Sequence, residues 1–247
     1  MAEERVGPET IERFGRPTRH FPVAVSAEAM ALAWANQENG RAGATVVVDH
    51  EIGPRGLHGR LWEVPLPQTL AFSVVLRPPV SVEEGNVTWL LAALAAAEGA
   101  EAVSGHRLAT WWPDLVVEAS APDQVVGAVR SEVQLGPGKV RSAIITIRLD
   151  LATLDIGSER KDDLLEAAVG AVDTASERLD EGASAIAAAY EGRCALLGKR
   201  LKLSLLPKGE TRGVAAHVDR SARLDLESPS GMVEKIGVDQ VRSLEVV

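Results

Sequence analysis

The residues best suited to chemistry lie in one short segment, GPRGLHGR (residues 53–60). It contains three glycines, one proline and two arginines in eight residues, a composition that predicts a loop. The two arginines, Arg55 and Arg60, could hold an anion or could be ordinary surface residues on a glycine loop. His58 has no second ligand at metal-binding spacing, so we interpret it as a solvated loop residue.

Two further groups of residues could act near this loop. His50 and Glu51 precede it and could form an acid–base pair, although the end of a strand is the simpler interpretation and the one that we favour. Trp62, Trp111 and Trp112 are interpreted as core residues or pocket walls rather than as stacking platforms, because large aromatic side chains are mostly buried for packing.

Composition limits the classes of function. The chain has 247 residues with 26 Lys+Arg against 35 Asp+Glu, a net charge of −9 that argues against binding to nucleic acid or to an anionic membrane. The longest apolar run, residues 89–97, is shorter than the roughly 20 residues that a bilayer span requires. The single cysteine, Cys194, excludes an internal disulfide and a Cys-rich zinc site, so no structural metal is implied. The charged N-terminus does not resemble a secretory signal, so we expect a cytoplasmic location.

Hydrophobic periodicity predicts a sheet-rich first domain over residues 21–191, preceded by an irregular arm over residues 1–20. Predicted strands cover residues 45–49, 70–76, 115–118, 124–133 and 142–151. Predicted helices cover residues 26–39, 87–98, 161–179 and 183–190, the second of them ending at Gly99. After Cys194, Leu201, Leu203 and Leu205 alternate with polar residues, which predicts a small β-rich domain over residues 192–247.

Three segments resemble the biotin protein ligase family. GPRGLHGRLW (residues 53–62) is similar to the family signature GRGRxGRxW, and TWWPDLVV (residues 110–117) is similar to KWPNDLxV. Residues 194–226 resemble the small C-terminal barrel of those ligases. The positions in register with the first signature are Arg55, Gly56, Gly59, Arg60 and Trp62.

This resemblance implies an α+β fold with a central mixed β-sheet, flanking helices on one side of it, and a small SH3-like β-barrel at the C-terminus. It also implies activation of biotin by ATP and Mg²⁺ to biotinyl-5′-adenylate, followed by transfer to a lysine of a biotin carboxyl carrier domain. The residues before Ser26 leave no room for the winged-helix domain of many members, so the short form without repressor function is expected. A sheet edge could pair two chains as a homodimer.

The resemblance also assigns residues to the site. Glycines would let the backbone approach the ligand closely, and Arg55 and Arg60, the best catalytic candidates, would balance the charge of carboxylate and phosphates. No residue is assigned to a metal. The implied ligand-binding residues are Ser26, Gly53, Arg55, Gly56, Gly59, Arg60, Trp62, Trp111, Trp112, Asp114 and Gly127.

Several positions depart from the family pattern. Trp111 replaces the lysine of KWPND; Asp114 corresponds to its asparagine or, after a one-residue deletion, to its aspartate. Glu51 replaces a glutamine and would repel anions. Arg148 puts a long side chain where the strand motif GxGIN has glycine, and Ala27 replaces one of two hydroxyl residues that cap the biotin ring.

Other departures lie within the loop, where Leu57 replaces an arginine and Pro54 a glycine. We therefore carry three hypotheses: a biotin–carrier ligase, a catalytically degenerate binding or scaffolding module, and an acyltransferase of the wider biotin/lipoate ligase superfamily that uses another acyl group. Trp111 is the feature that discriminates between the first two, and it favours the second.

Trp111→Lys alone should not produce biotinyl-adenylate. Charge-stabilising groups in an active site act as a unit, and Leu57 and Arg148 would remain unchanged. Single-turnover assays with radiolabelled ATP and biotin measure the product directly. Robust adenylate formation by this variant would show that the rest of the site is intact.

Overall fold

The structure is a computed structural model that describes residues 9–37, 40–59 and 68–247. Most of the chain folds around one large sheet. Its strands are β1 (Thr10–Arg13), β2 (Arg16–Ala24), β3 (Thr45–Glu51), β4 (Thr69–Leu76), β5 (Leu108–Trp111), β6 (Leu115–Glu118), β7 (Val125–Gly136) and β8 (Lys139–Asp150). They lie in the order β1-β2-β3-β4-β8-β7-β6-β5. β2 and β3 are parallel and the other neighbours are antiparallel, so the sheet is mixed, as predicted.

Helices cover both faces of this sheet. They are α1 (Ala27–Gln37), α2 (Val87–Ser104), α3 (Lys161–Asp180) and α4 (Ala183–Glu191). Val46 and Val48 of β3 pack in the cluster that contains α1, whereas Val47 packs in the cluster that contains α2 and α3. The expectation that all helices lie on one side is therefore wrong. Consecutive valines make both faces of β3 apolar, and each face needs a cover.

The α2 helix is the centre of the core. It does not end at Gly99 as predicted but continues to Ser104 and closes at Gly105, whose φ of 75° suits a glycine cap. Gly99 instead marks the crossing with α3, because a Cβ atom there would lie 2.4 Å from the Cα atom of Ala168. Within the described residues, α2 is long and apolar enough to cross a membrane, but 72% of that window is buried inside the fold.

The N-terminal residues correct another expectation. Residues 10–20, predicted to belong to an irregular arm, form β1 and most of β2. Arg16 and Thr18 are buried there despite their polarity. The segment lacks an apolar run, but β1 pairs with β2 and β2 also pairs with β3, and composition does not reveal such backbone pairing.

The C-terminal residues form a second, antiparallel sheet. Its strands are β9 (Arg200–Leu205), β10 (Glu210–Val218), β11 (Leu224–Glu227), β12 (Val233–Ile236) and β13 (Val241–Val246), in the order β12-β11-β10-β9-β13. Leu201 and Leu203 are fully buried, as their alternation predicted. The indole N–H of Trp112 donates to the carbonyl oxygen of Ala222 at 2.9 Å and ties the two sheets together. The domain boundary near residue 192 remains a prediction.

Gly99→Ala should lower the free energy of unfolding by about 1–3 kcal/mol, because the added methyl group meets the backbone of α3. Gly170→Ala is the matched control: this helical glycine has open space around its Cβ position, and the change should stabilise by about 0.5–1 kcal/mol. Urea denaturation followed by circular dichroism measures both. Equal effects would contradict the close α2–α3 crossing.

Candidate functional site

The described part of the glycine-rich loop, residues 53–59, follows β3 and contacts the C-terminal sheet. The N–H group of Gly53 donates to the carbonyl oxygen of Val25 at 3.0 Å and fixes the start of the loop beside α1. A single 3₁₀ turn covers Leu57–Gly59. The Nε2 atom of His58 lies 2.5 Å from the carbonyl oxygen of Val241 on β13. His58 is therefore more than the solvated loop residue expected, since it connects the loop to the second sheet.

Two arginines of the large sheet donate hydrogen bonds to backbone carbonyl groups of the loop. Arg148 on β8 donates through Nη1 to the carbonyl oxygen of Arg55 at 3.3 Å, and Arg130 on β7 donates through Nη1 to that of Gly56 at 2.8 Å. Arg148 pairs with Ala128 across the two strands, two residues from Arg130. Since side chains two residues apart share a face, both arginines project toward the loop and α1.

Arg148 forms a buried ion pair with Glu51. Its Nε atom lies 2.6 Å from Oε2 of Glu51 and its Nη2 atom 3.0 Å from Oε1, a bidentate arrangement with side chains only 2% and 5% exposed. The same carboxylate accepts the backbone N–H of Ala27 at 2.8 Å. The expectation that Glu51 repels an anionic ligand is therefore wrong, because its charge is matched. Glu51 and Arg148 are one coupled departure from the family pattern.

A second ion pair lies beside the first. The Nε atom of Arg130 is 2.8 Å from Oε1 of Glu28 on α1. Burial raises the pKa of Glu28 above its ordinary value, and the charges of Arg130 and Arg148 only partly oppose this. The carbonyl groups of Arg55 and Gly56 are thus part of one network with the charged side chains of α1 and the sheet.

A cavity of about 350 Å³ lies between Gly56 and Leu57 of the loop, the segment after β5, Ala128 of β7 and β13. Four predicted site residues line it: Gly56, Trp111, Trp112 and Asp114. Within the described lining, Asp114 is the one carboxylate and Arg242 the one arginine. Arg242 was not predicted; its strand carries no motif, and only the docking of the second sheet brings it here.

Trp111 and Trp112 have different roles in this wall. Trp112 is fully buried, whereas Trp111 is half-buried. The Nζ atom of Lys199 lies 5.5 Å from the centre of the Trp111 ring, within cation–π range. Lys199, which directly precedes β9, thus lies beside Trp111, the position that the resemblance aligns with the lysine of the family motif.

The other predicted ligand residues have local structural roles. Ser26 is buried, and its Oγ atom accepts the N–H of Ala29 at 3.1 Å as a helix cap. A Cβ atom at Gly127 would lie 2.7 Å from the carbonyl oxygen of Arg148, so close strand packing accounts for this glycine. The Arg55 side chain is exposed, Gly53 and Gly59 lie at the two ends of the described loop, and Arg60 and Trp62 lie outside the described residues. Ligand contacts by these residues remain predictions.

Nothing in the described part of the chain brings three His, Cys, Asp or Glu side chains together as a metal site. Burial raises the pKa of the Cys194 thiol; this residue forms a β-bridge with Thr110 of β5 and is the small buried residue expected.

The chain is similar in sequence to a known ligase. No family model matches the chain. It is 28% identical over 180 residues to the bifunctional ligase/repressor BirA of Bacillus spizizenii, an alignment covering 72% of this chain and 53% of that protein. The chain thus matches about half the length of this relative.

Solved structures are similar over most of the chain. The biotin protein ligase of Aquifex aeolicus, in complex with biotin and ATP, gives a TM-score of 0.73 at 18% identity and covers 93% of this chain and 99% of that one. A biotin protein ligase-like protein of unknown function from Silicibacter gives 0.69 at 14% identity, covering 94% and 98%. The fold is that of the biotin protein ligases. The resemblance to this family is confirmed: the chain is related to these ligases in sequence and shares their architecture.

Arg148→Met should lower the free energy of unfolding by about 3–5 kcal/mol, because it leaves the carboxylate of Glu51 buried without a countercharge. Adding Glu51→Gln should recover most of this loss. The control Arg41→Met breaks the exposed pair with Glu12 and should change little. Urea denaturation of these proteins, of wild type and of the single variant Glu51→Gln tests the coupling; additive effects of the two single substitutions would contradict it.

Proposed function

We propose that this chain activates a carboxylate with ATP and transfers the acyl group to a lysine of a carrier protein, the type of reaction that the family resemblance implies. The observation that carries the proposal is the cavity at which the glycine-rich loop, the segment from Trp111 to Leu115 and Arg242 meet. Further support comes from the relatives: one is named a ligase, and another was solved with biotin and ATP.

The reaction has two steps. A carboxylate oxygen of the acid attacks the α-phosphorus of ATP and pyrophosphate leaves; then the lysine amine attacks the acyl carbonyl and AMP leaves. Negative charge grows on the phosphate oxygens in the first step, and fixed cations at the cavity would stabilise it. Arg242 is the described candidate, and Arg55 and Arg60 remain the candidates from the sequence.

Magnesium would enter with the nucleotide, since Mg²⁺ is usually held by phosphates and one or two carboxylates. Asp114 fits this chemistry because it supplies carboxylate oxygens at the cavity wall. Biotin and a biotin carboxyl carrier domain are the substrate pair that the family resemblance implies. Homodimer formation and a cytoplasmic location remain predictions.

The two alternative hypotheses differ in the support that they have. The catalytically degenerate module gains no support from the comparisons, in which the relatives bear the names of ligases or of a ligase-like protein of unknown function. The use of an acyl group other than biotin is favoured by one specific observation, the buried side chain of Arg148 in place of a glycine.

ATP-dependent acylation of a carrier domain tests the proposal. The chain is incubated with ATP, Mg²⁺, a carrier domain and a panel of carboxylates that includes biotin, and the carrier is read by intact mass. Addition of one acyl group, dependent on ATP, is the expected result. Failure with every acid, together with no binding of ATP, would contradict the proposal.

Arg242→Ala should weaken the binding of Mg·ATP about tenfold or more, because a charge-assisted hydrogen bond contributes about 1.5–3 kcal/mol. The melting temperature should not change, since Arg242 is exposed. Arg107→Ala removes an exposed arginine outside the cavity lining and serves as the matched control. Calorimetric titration measures both; equal affinities would remove Arg242 from the site.

A further inference from the structure

We propose that the Glu51–Arg148 pair closes the space between the glycine-rich loop, α1 and the large sheet, so that the site accepts a carboxylate with a small acyl group and excludes a ring as large as that of biotin. The inference rests on the proposed function in one respect, that the ligand is a carboxylate activated at this site.

The closure is built from groups that satisfy one another. The Glu51 carboxylate accepts hydrogen bonds from the N-terminus of α1 and from Arg148, and Arg148 in turn donates to the loop carbonyl of Arg55. These contacts link α1, β3, β8 and the loop over distances of 2.6 to 3.3 Å. A ring inserted here would have to separate a buried ion pair and leave both charges without partners, which is strongly unfavourable.

The second ion pair extends the closure along the loop. Arg130 contacts Glu28 of α1 and donates to the carbonyl oxygen of Gly56, the residue after Arg55. Two neighbouring carbonyl groups of the loop are thus turned toward the sheet. They are not available to a ligand on that side without breaking these contacts.

Among the described residues, the cavity beside Gly56 and Leu57 is the open space that adjoins these contacts. Its volume of about 350 Å³ is near the lower limit of ordinary ligand pockets, roughly 300–1,000 Å³. An acyl group bound beside a nucleotide in a cavity of this size would be small, and it would pack against the apolar wall that includes Leu57 and Leu244.

Biotin titration of three proteins tests the closure. Wild type should give no detectable binding. Glu51→Gln/Arg148→Gly removes the charges and the bulk together, and should bind biotin at least about tenfold more tightly than wild type does. Glu51→Gln/Arg148→Met removes the same charges but keeps most of the volume, so it should gain nothing. Circular dichroism verifies that each variant is folded.

Pyrophosphate exchange with wild type provides the second arm. Acetate, propionate and butyrate should support exchange at least about tenfold above biotin. Micromolar binding of biotin by wild type, or no gain of affinity by a folded Glu51→Gln/Arg148→Gly variant, would overturn the closure. If that variant does not fold, the wild-type titration decides. Absence of exchange with every acid would count against the proposed function, whereas the biotin titrations would still decide the closure.

Discussion

The buried ion pair between Glu51 and Arg148 is the constraint on which the site depends. Neither charge could be tolerated alone at this depth, so each residue requires the other. Their hydrogen bonds fix the N-terminus of α1 and the start of the glycine-rich loop relative to the sheet. These contacts give the described part of the loop, residues 53–59, a defined position on the sheet. In our proposal, the same interaction fills the space between the loop, α1 and the sheet, so that a ligand is left with the cavity beside Gly56.

The second sheet completes the wall of the cavity beside Gly56. Trp112 joins the two sheets through Ala222, and His58 joins the loop to β13. Arg242 reaches the cavity only because of this docking. Substitutions in either sheet would therefore alter the shape of the cavity. Residues of the C-terminal sheet thus form part of the candidate site.

Much of this structure could be predicted from the sequence. The β-branched runs gave β3 and β4 correctly, and the motifs identified the loop and the segment around Trp111 that together line the cavity. The pairing of Glu51 with Arg148 could not be predicted from spacing, because 97 residues separate them and each alone resembles a damaged motif. The strands before α1 were missed since backbone pairing has no compositional signal, and Gly99 was mistaken for a helix end because helix packing also favours glycine.

The central claim is that Arg148 remains locked onto Glu51 and the loop. The most direct measurement is hydrogen exchange at the Nε–H group of Arg148, followed by ¹⁵N NMR and assigned with Arg148→Met. We predict exchange far slower than that of exposed arginines such as Arg41, and no change when biotin is added in excess. Fast exchange, or a shift of the Arg148 resonance on addition of biotin, would show that the space beneath the loop is open and would contradict the account.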